Sequence, residues 1–266
     1  MRSPNRPWRL PALAFWAAAL LVLLPPLAVL AYAFSERWDR HLLPEGPTLA
    51  WLADVAGDAR VRSAAWNSVW VSGAAAGLAV LLGGAASLAG HLGPRRLQKL
   101  LDALALLPYA LPPVVVAIGA LDVFVGRWGD VLDLPTVYIG LLAALLFPLV
   151  HQTLSAALRQ LDARPLIDAS RTLGAPDSLL LRRVLLPMLL PAFVAAGLLA
   201  WTTAAMEFVI ANLLLAGSLE LLQPFINGLR GANGHLAAAL VLVSLVITTG
   251  LGLLVHLIST WRIPTR

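Results

Sequence analysis

The 266-residue chain contains no cysteine and a single lysine, Lys99, and only 12% of its residues are charged. Without cysteine it can form neither a disulfide nor a thiolate site. Lys99 stands in Leu97-Gln98-Lys99-Leu100, so the Gly-Lys-Ser/Thr of a phosphate-binding loop is missing and the chain supplies no standard ATP site of its own. His-Glu-x-x-His and Gly-x-Ser-x-Gly are also missing. Ser72-Gly73 follows Trp70-Val71, which removes the Gly-x-Ser-Gly of rhomboid-type intramembrane proteases. No catalytic residue, metal or cofactor is therefore expected, and the chain does not read as an enzyme.

What is present in excess is apolar surface: 59% of the residues are hydrophobic. That is too apolar for a soluble domain of this length and too long for a lone anchor, so an integral membrane protein is expected. A span needs roughly 20 consecutive apolar residues. Six such runs occur, at about 10–34, 64–90, 100–125, 136–158, 187–215 and 236–259. None alternates apolar with polar residues as a barrel strand would, which leaves helices as the way to satisfy the backbone in lipid. The expected architecture is all-α, with six transmembrane helices in one domain covering 1–266.

Basic residues set the orientation. With the N-terminus inside, 13 of the 19 fall on the cytoplasmic side, namely Arg2, Arg6, Arg9, Arg95, Arg96, Lys99, Arg159, Arg164, Arg171, Arg182, Arg183, Arg262 and Arg266. Arg37, Arg40, Arg60, Arg62, Arg127 and Arg230 remain outside; the first four share the first outer loop with Glu36, Asp39, Glu45, Asp54 and Asp58. Both termini are expected in the cytoplasm. The net charge of +5 comes from arginines that flank spans, which points to topology and anionic lipid rather than nucleic acid. The Arg-rich start before Ala31-Tyr32-Ala33 resembles a secretory signal, but its apolar run is too long, so a retained first span is expected.

Within this frame, residues 35–63 form the longest external segment, with Thr48 to Val61 a candidate interfacial helix and Trp38, Trp51 and Trp66 at the membrane–water boundary. The second span carries Gly73, Gly77, Gly83, Gly84, Ala85, Ala86 and Gly90. Gly73 and Gly77 make a small-x-x-x-small pair suited to packing inside a bundle. The third span contains Pro108, Pro112 and Pro113, so it must kink or break, with the freed carbonyls facing protein or a cavity. At the inner end of the sixth span, Trp261-Arg262 reads as an interfacial anchor.

The segment from Arg159 to Leu186 is long for a simple connection and predicts a helix, a sharp stop and a second helix. Pro165 suits a first helical turn, and Leu166 to Leu173 contains no breaker. Gly174 is placed to terminate that helix at positive φ, with Pro176 forbidding its continuation. Asp177 or Ser178 is the expected cap of the next helix, which runs into the fifth span at Pro187. The product is a rigid element projecting from the ends of the spans. Ala169 and Ser170 permit close approach by another protein, and Arg164, Asp168 and Arg171 supply polar handles.

The spacing Asp168-Ala169-Ser170, three residues, Gly174, nine residues, Val184-Leu185-Leu186-Pro187 resembles the coupling loop of ATP-binding-cassette (ABC) importer permeases, Glu-Ala-Ala, three residues, Gly, nine residues, Ile-x-Leu-Pro. Asp168, Ser170 and Val184 depart mildly from that pattern. Asn67-Ser68 at the start of the second span, and the proline-rich third span, are also similar to these permeases. Glu207-Phe208-Val209-Ile210 resembles the narrower group for spermidine/putrescine, 2-aminoethylphosphonate, iron(III) and thiamine. The resemblance implies a type I ABC importer permease-like bundle with its importer core at about 62–259 and its coupling loop at 159–186. Asp168, Ala169, Ser170, Gly174, Leu186 and Pro187 would then be the ATPase-coupling residues of a subunit that forms the solute translocation pathway. It further implies a bacterial inner membrane location, a cytoplasmic ABC ATPase dimer, a second permease subunit (homomeric or heteromeric) and an extracytoplasmic solute-binding protein. An ion-driven secondary transporter is the alternative, but it would want charged relays or paired interrupted helices near the midplane, and here acids are sparse and no repeat is evident.

Ionisable residues inside the spans are few: Asp102, Asp122, His151, Glu207 and His256. An acid at a helix centre costs roughly 2.5–3.5 kcal/mol on insertion scales, so it needs a cavity or a partner. Asp102, Asp122 and His256 fall near predicted ends and read as interfacial. Glu207, well into the fifth span with Asn212 five residues later, is the best pathway candidate, joined by Pro112 and Pro113; a helix-packing hydrogen bond is its structural alternative.

Overall fold

In lipid a backbone must satisfy its own hydrogen bonds, and the long apolar runs do so as helices. A computed structural model describes residues 9–38, 41, 43–125 and 132–260. Arg2, Arg6, Asp39, Arg40, Arg127, Trp261, Arg262 and Arg266 lie outside the described residues, as does the side chain of Arg9. The chain order is α1 (Arg9–Ala33), strands β1 (Ser35–Arg37) and β2 (Glu45–Pro47), α2 (Ala50–Gly57), α3 (Ala59–Leu92), α4 (Arg95–Leu104) and α5 (Pro113–Ala120). There follow α6 (Leu134–Gln160), α7 (Ala163–Thr172), α8 (Asp177–Leu180), α9 (Leu186–Ala205), α10 (Val209–Leu214), α11 (Leu222–Leu229) and α12 (Gly234–Thr260). Among the described residues, five helical stretches are each long and apolar enough to cross a membrane, or six if the bent pair 95–110 and 113–124 counts as one broken span.

The chain divides into two units. The first comprises residues 1–59 and 226–246. Here α1 leads into a two-stranded antiparallel ribbon that pairs Ser35 with Pro47 and Arg37 with Glu45, an element not foreseen in the first outer loop. Only α2 and the start of α3 fall in the stretch expected as one short helix from Thr48 to Val61. His235, at the start of α12, stacks on Tyr32 with ring centroids 4.0 Å apart and on Trp51 at 5.4 Å. Trp51 Nε1 donates to the Ser35 carbonyl at 3.0 Å, which gives its indole N–H a polar partner.

The second unit comprises residues 60–225 and 247–266. Its core is built where α6 packs along α9. Ala196, Ala200 and Ala204 repeat every four residues down α9, and with Tyr138, Leu142, Leu146, Val150 and Leu154 of α6 they belong to one buried cluster. Small residues on one helix and large ones on the other let the backbones approach, which is how helices associate where there is no water to expel. The same logic singles out Gly83 and Gly84 of α3. A Cβ at Gly83 would lie 2.9 Å from Val150, and one at Gly84 would lie 2.7 Å from Phe193. The pair expected inside the bundle, Gly73 and Gly77, has nothing within 4 Å of either Cβ position and is exposed. The four-residue spacing was the wrong guide, because both Gly73 and Gly77 fall on the outward stripe of α3.

The third span breaks as its prolines require. α4 passes into a 3-10 turn, Leu107–Ala110, and then α5 starts at Pro113, with an 86° bend across the break. Prolines suit the new start: Pro112 is the N-cap and Pro113 occupies the first turn, where no N–H is needed. The fifth span differs from expectation. Rather than one helix over 187–215, a continuous stretch from Asp177 to Ala205 ends, and α10 begins separately at Val209.

Candidate functional site

The loop of residues 159–186 starts from an αL residue and contains a second one. Asp162 (φ 46°) ends α6 and opens α7, and Gly174 (φ +71°) ends α7. Gly174 donates to the Arg171 carbonyl and Ala175 to the Ser170 carbonyl, both at 3.0 Å. These paired bonds satisfy orphan carbonyls of the last turn in a Schellman arrangement, and the left-handed φ they need is the reason for glycine. Pro176 then caps α8 through its extended backbone. This corrects the expected cap. Asp177 does not cap α8, because its carboxylate accepts from Arg171 instead, with Nη2 to Oδ2 at 3.1 Å. The same guanidinium donates to the Leu92 carbonyl at 2.8 Å, fastening the loop to the end of α3. Hydrogen bonding and charge from Asp177 raise the Arg171 pKa above its ordinary value, so it stays protonated.

α7 is amphipathic toward its own protein. Ala163 and Ile167 are buried with Leu158, Leu180, Leu185 and Leu189 in a small separate core. Asp168, Ala169, Arg171 and Thr172 are exposed on the other side, with Ser170 half-buried, and Leu173 at the tip is 85% exposed. A helix lying passively on a bilayer would turn its apolar stripe to lipid; this one turns that stripe inward. Past α8 the chain widens into a π turn, Leu181–Leu185, in which Leu186 N–H bonds the Leu181 carbonyl. The wide turn moves backbone out of the way of the Pro187 ring, which would clash with the carbonyl four residues back. The loop is thereby continuous with α9, so Leu186 and Pro187 begin a rigid rod.

At the α9–α10 break, Glu207 carries the geometry. Its Oε1 accepts from the Ile210 N–H at 2.8 Å and its Oε2 from the Ala211 N–H at 3.0 Å. Tyr138 Oη donates to the same carboxylate at 3.2 Å. Glu207 is thus not in mid-helix; it satisfies two orphan donors of α10 and ties them to α6. Asn212 is exposed on α10 and lines a cavity of about 390 Å³ together with Ser218, Glu220 and Phe225. α10 packs on α5, so the structure makes neighbours of the helices that carry Asn212 and Pro113. Pro112 and Pro113 are exposed. The residues expected to couple lie on α7, at its end and at the start of α9, and the pathway candidates lie at the start of α5, in the α9–α10 break and on α10.

His151 and Asp102 are a pair that sequence reading missed. His151 is 2% exposed and its Nε2 lies 2.9 Å from Asp102 Oδ1. The available signal was polar residues four apart on apolar helices: Ser87 with His91, Gln98 with Asp102, and His151 with Ser155. Ser87, His151 and Asp102 make a hydrogen-bonded row, but Ser87 is wholly buried and its hydroxyl also meets the Gly83 carbonyl at 2.8 Å, which leaves no room for a substrate. Among the described residues no group of three or more His, Cys, Asp or Glu side chains is placed to hold a metal.

Comparison with known proteins adds the following. Residues 79–264 match the family described as binding-protein-dependent transport system inner membrane component. The spermidine/putrescine transport system permease protein PotC of Haemophilus influenzae is 26% identical over 244 residues, covering 85% of this chain and 91% of that protein. The sulfate transport system permease protein CysT of Salmonella typhimurium is 35% identical over 132 residues, 46% of this chain and 47% of that protein. Among solved structures, a bacterial ABC transporter involved in import of the acidic polysaccharide alginate aligns with a TM-score of 0.68 at 19% identity, covering 95% of this chain and 96% of that one. An amino acid ABC transporter aligns with a TM-score of 0.59 at 16% identity, covering 79% and 97%.

Proposed function

Because this chain belongs to the family of binding-protein-dependent transport system inner membrane components, we propose that α7 and its glycine stop are the surface on which a separate ATPase docks and drives it. The chain is a permease subunit of an ABC importer, a transport protein and not an enzyme, and it resides in the inner membrane. The family leaves no ground for the ion-driven alternative. The docking reading rests on one observation: α7 buries Ala163 and Ile167 against its own bundle and presents Asp168, Ala169 and Leu173 outward. A partner gripping that face would push on an element fixed by Gly174 and continuous with α9 through Leu186 and Pro187.

In this reading both termini and the loop of residues 159–186 lie in the cytoplasm, and the importer core of about 62–259 acts as one permease domain. A second permease subunit completes the pathway, and a solute-binding protein delivers solute at the opposite face. An ATPase dimer that closes on ATP has different affinity for the inward- and outward-open bundles, and that difference is what shifts the population between them. Pro112, Pro113, Glu207 and Asn212 are proposed to line the route, with α5 and α10 side by side. Glu207 holds the α10 terminus while its break leaves a non-helical backbone, which in a membrane is tolerated beside protein or a water-filled cavity.

The test uses the absence of native cysteine. A Leu173→Cys chain, carrying a thiol-directed photocrosslinker in native membranes, is expected to capture a nucleotide-hydrolysing subunit. Leu173→Asp should leave the permease inserted but lose that subunit on affinity purification. Capture of lipid alone, with the ATPase retained by Leu173→Asp, refutes docking at this surface.

A further inference from the structure

A row of polar side chains runs from α7 into the membrane helices, and the docking reading gives it no role. Arg164 Nη2 on α7 donates to Gln98 Oε1 at 2.9 Å. Gln98 Nε2 faces His91 Nε2 at 3.4 Å, and His91 Nδ1 lies 2.9 Å from the Ser87 carbonyl. Ser87 Oγ meets His151 Nδ1 at 3.0 Å, and His151 Nε2 meets Asp102 Oδ1 at 2.9 Å. The row therefore leaves α4 at Gln98, crosses α3 and α6, and returns to α4 at Asp102, one turn further on.

The place of α4 makes this consequential. None of its side chains is fully buried, so apolar packing, such as that of the half-buried Leu97 and Leu101, fixes it only in part. Two polar residues, Gln98 and Asp102, on one face supply directional bonds to His91 and His151, both buried. Such bonds weaken steeply with distance and angle, which favours discrete docked and undocked arrangements over gradual sliding. α4 is itself the first part of the bent third span and leads through Ala105 to its break, so its docking bears directly on the backbone at Leu107–Pro113.

We propose that Gln98 and Asp102 are positioning residues forming a two-point clasp, through which displacement of α7 passes by way of Arg164 to α4 and on to the break in the third span. The inference rests on α7 being the ATPase-docking element.

Lys99 supplies the readout. It is the chain's sole lysine and lies exposed on α4, so a lysine-specific endoproteinase cuts this chain once, after Lys99. The transporter, purified with its native partner subunits through a C-terminal tag on this chain and placed in lipid nanodiscs, is digested without nucleotide and after trapping with ATP and vanadate. In the native complex the cleavage rate is expected to differ at least threefold between the two states. In Gln98→Leu and in Asp102→Leu that ratio should fall toward one while vanadate still traps nucleotide. Gln98→Glu, which keeps an acceptor for Arg164, and Asp102→Asn, which keeps one for His151, should each restore part of it. A merely structural role changes cleavage equally in both states and leaves the ratio intact; that outcome, or a native ratio of one, overturns the clasp. If no nucleotide-hydrolysing subunit co-purifies with the native chain, the docking reading falls and the clasp with it. A bound, trappable ATPase beside an unresponsive Lys99 overturns the clasp alone.

Discussion

Two helix breaks in this protein are made by different means. In the third span, Pro108, Pro112 and Pro113 forbid a continuous helix, and the chain bends by 86°. Between α9 and α10 the chain reads Met206-Glu207-Phe208, with neither proline nor glycine, yet the helix stops. There the new terminus is held by a carboxylate that takes two backbone N–H groups and a tyrosine hydroxyl. The first break is imposed by covalent geometry and survives any single contact. The second is bought with hydrogen bonds and depends on them. The stop at Gly174 is intermediate, since it needs a left-handed φ that local sequence supplies, together with bonds from the preceding turn.

The largest effect should therefore come from Glu207→Ala. It strands two N–H groups, and at roughly 1–3 kcal/mol for an unsatisfied buried group the loss should be on the order of 2–4 kcal/mol, read as a fall in thermal midpoint of the purified protein. Glu207→Gln, with one acceptor oxygen left, should lose about half as much. A change in Glu207→Ala no greater than that of an exposed control substitution would mean that the break does not rest on this carboxylate.

Gly174→Val comes next. A non-glycine residue held left-handed costs roughly 1–2 kcal/mol, more with a β-branched side chain. Because the loop is exposed, the loss should appear as faster amide exchange at the end of α7 before any change in the spans. Protection there equal to that of the native chain would show that the stop tolerates a side chain.

Tyr138→Phe should be mildest, at about 1 kcal/mol for one hydrogen bond, since Ile210 and Ala211 keep their acceptor. Should Tyr138→Phe match Glu207→Ala in thermal denaturation, the cap on α10 would be secondary to the tie to α6.

Much of this was legible in the chain. The third-span break, the Gly174 stop and the continuity into Pro187 follow from residues that restrict their own backbone. The Asp177 cap was misplaced because Arg171, one helix earlier, competes for the carboxylate. Gly73 and Gly77 were misassigned because spacing along a helix says which residues share a face but not what that face meets. Asp102 read as interfacial, and what that reading missed was its partner His151, 49 residues away. No local pattern reports such a pairing.

Composition and the scarcity of charge determined by themselves that this chain spans a membrane as helices, since unpaired backbone is too costly in lipid. The spacing from Asp168 to Pro187 determined the projecting loop, because glycine and proline act through bonds within a few residues of themselves. Only the tertiary structure decided which glycines let helices touch, where the Glu207 carboxylate goes, and that Gln98 and Asp102 tie α4 to the histidines of α3 and α6. Those outcomes depend on side chains brought together from distant parts of the chain, and the strength of a hydrogen bond or a close contact is set by a distance that sequence order does not fix.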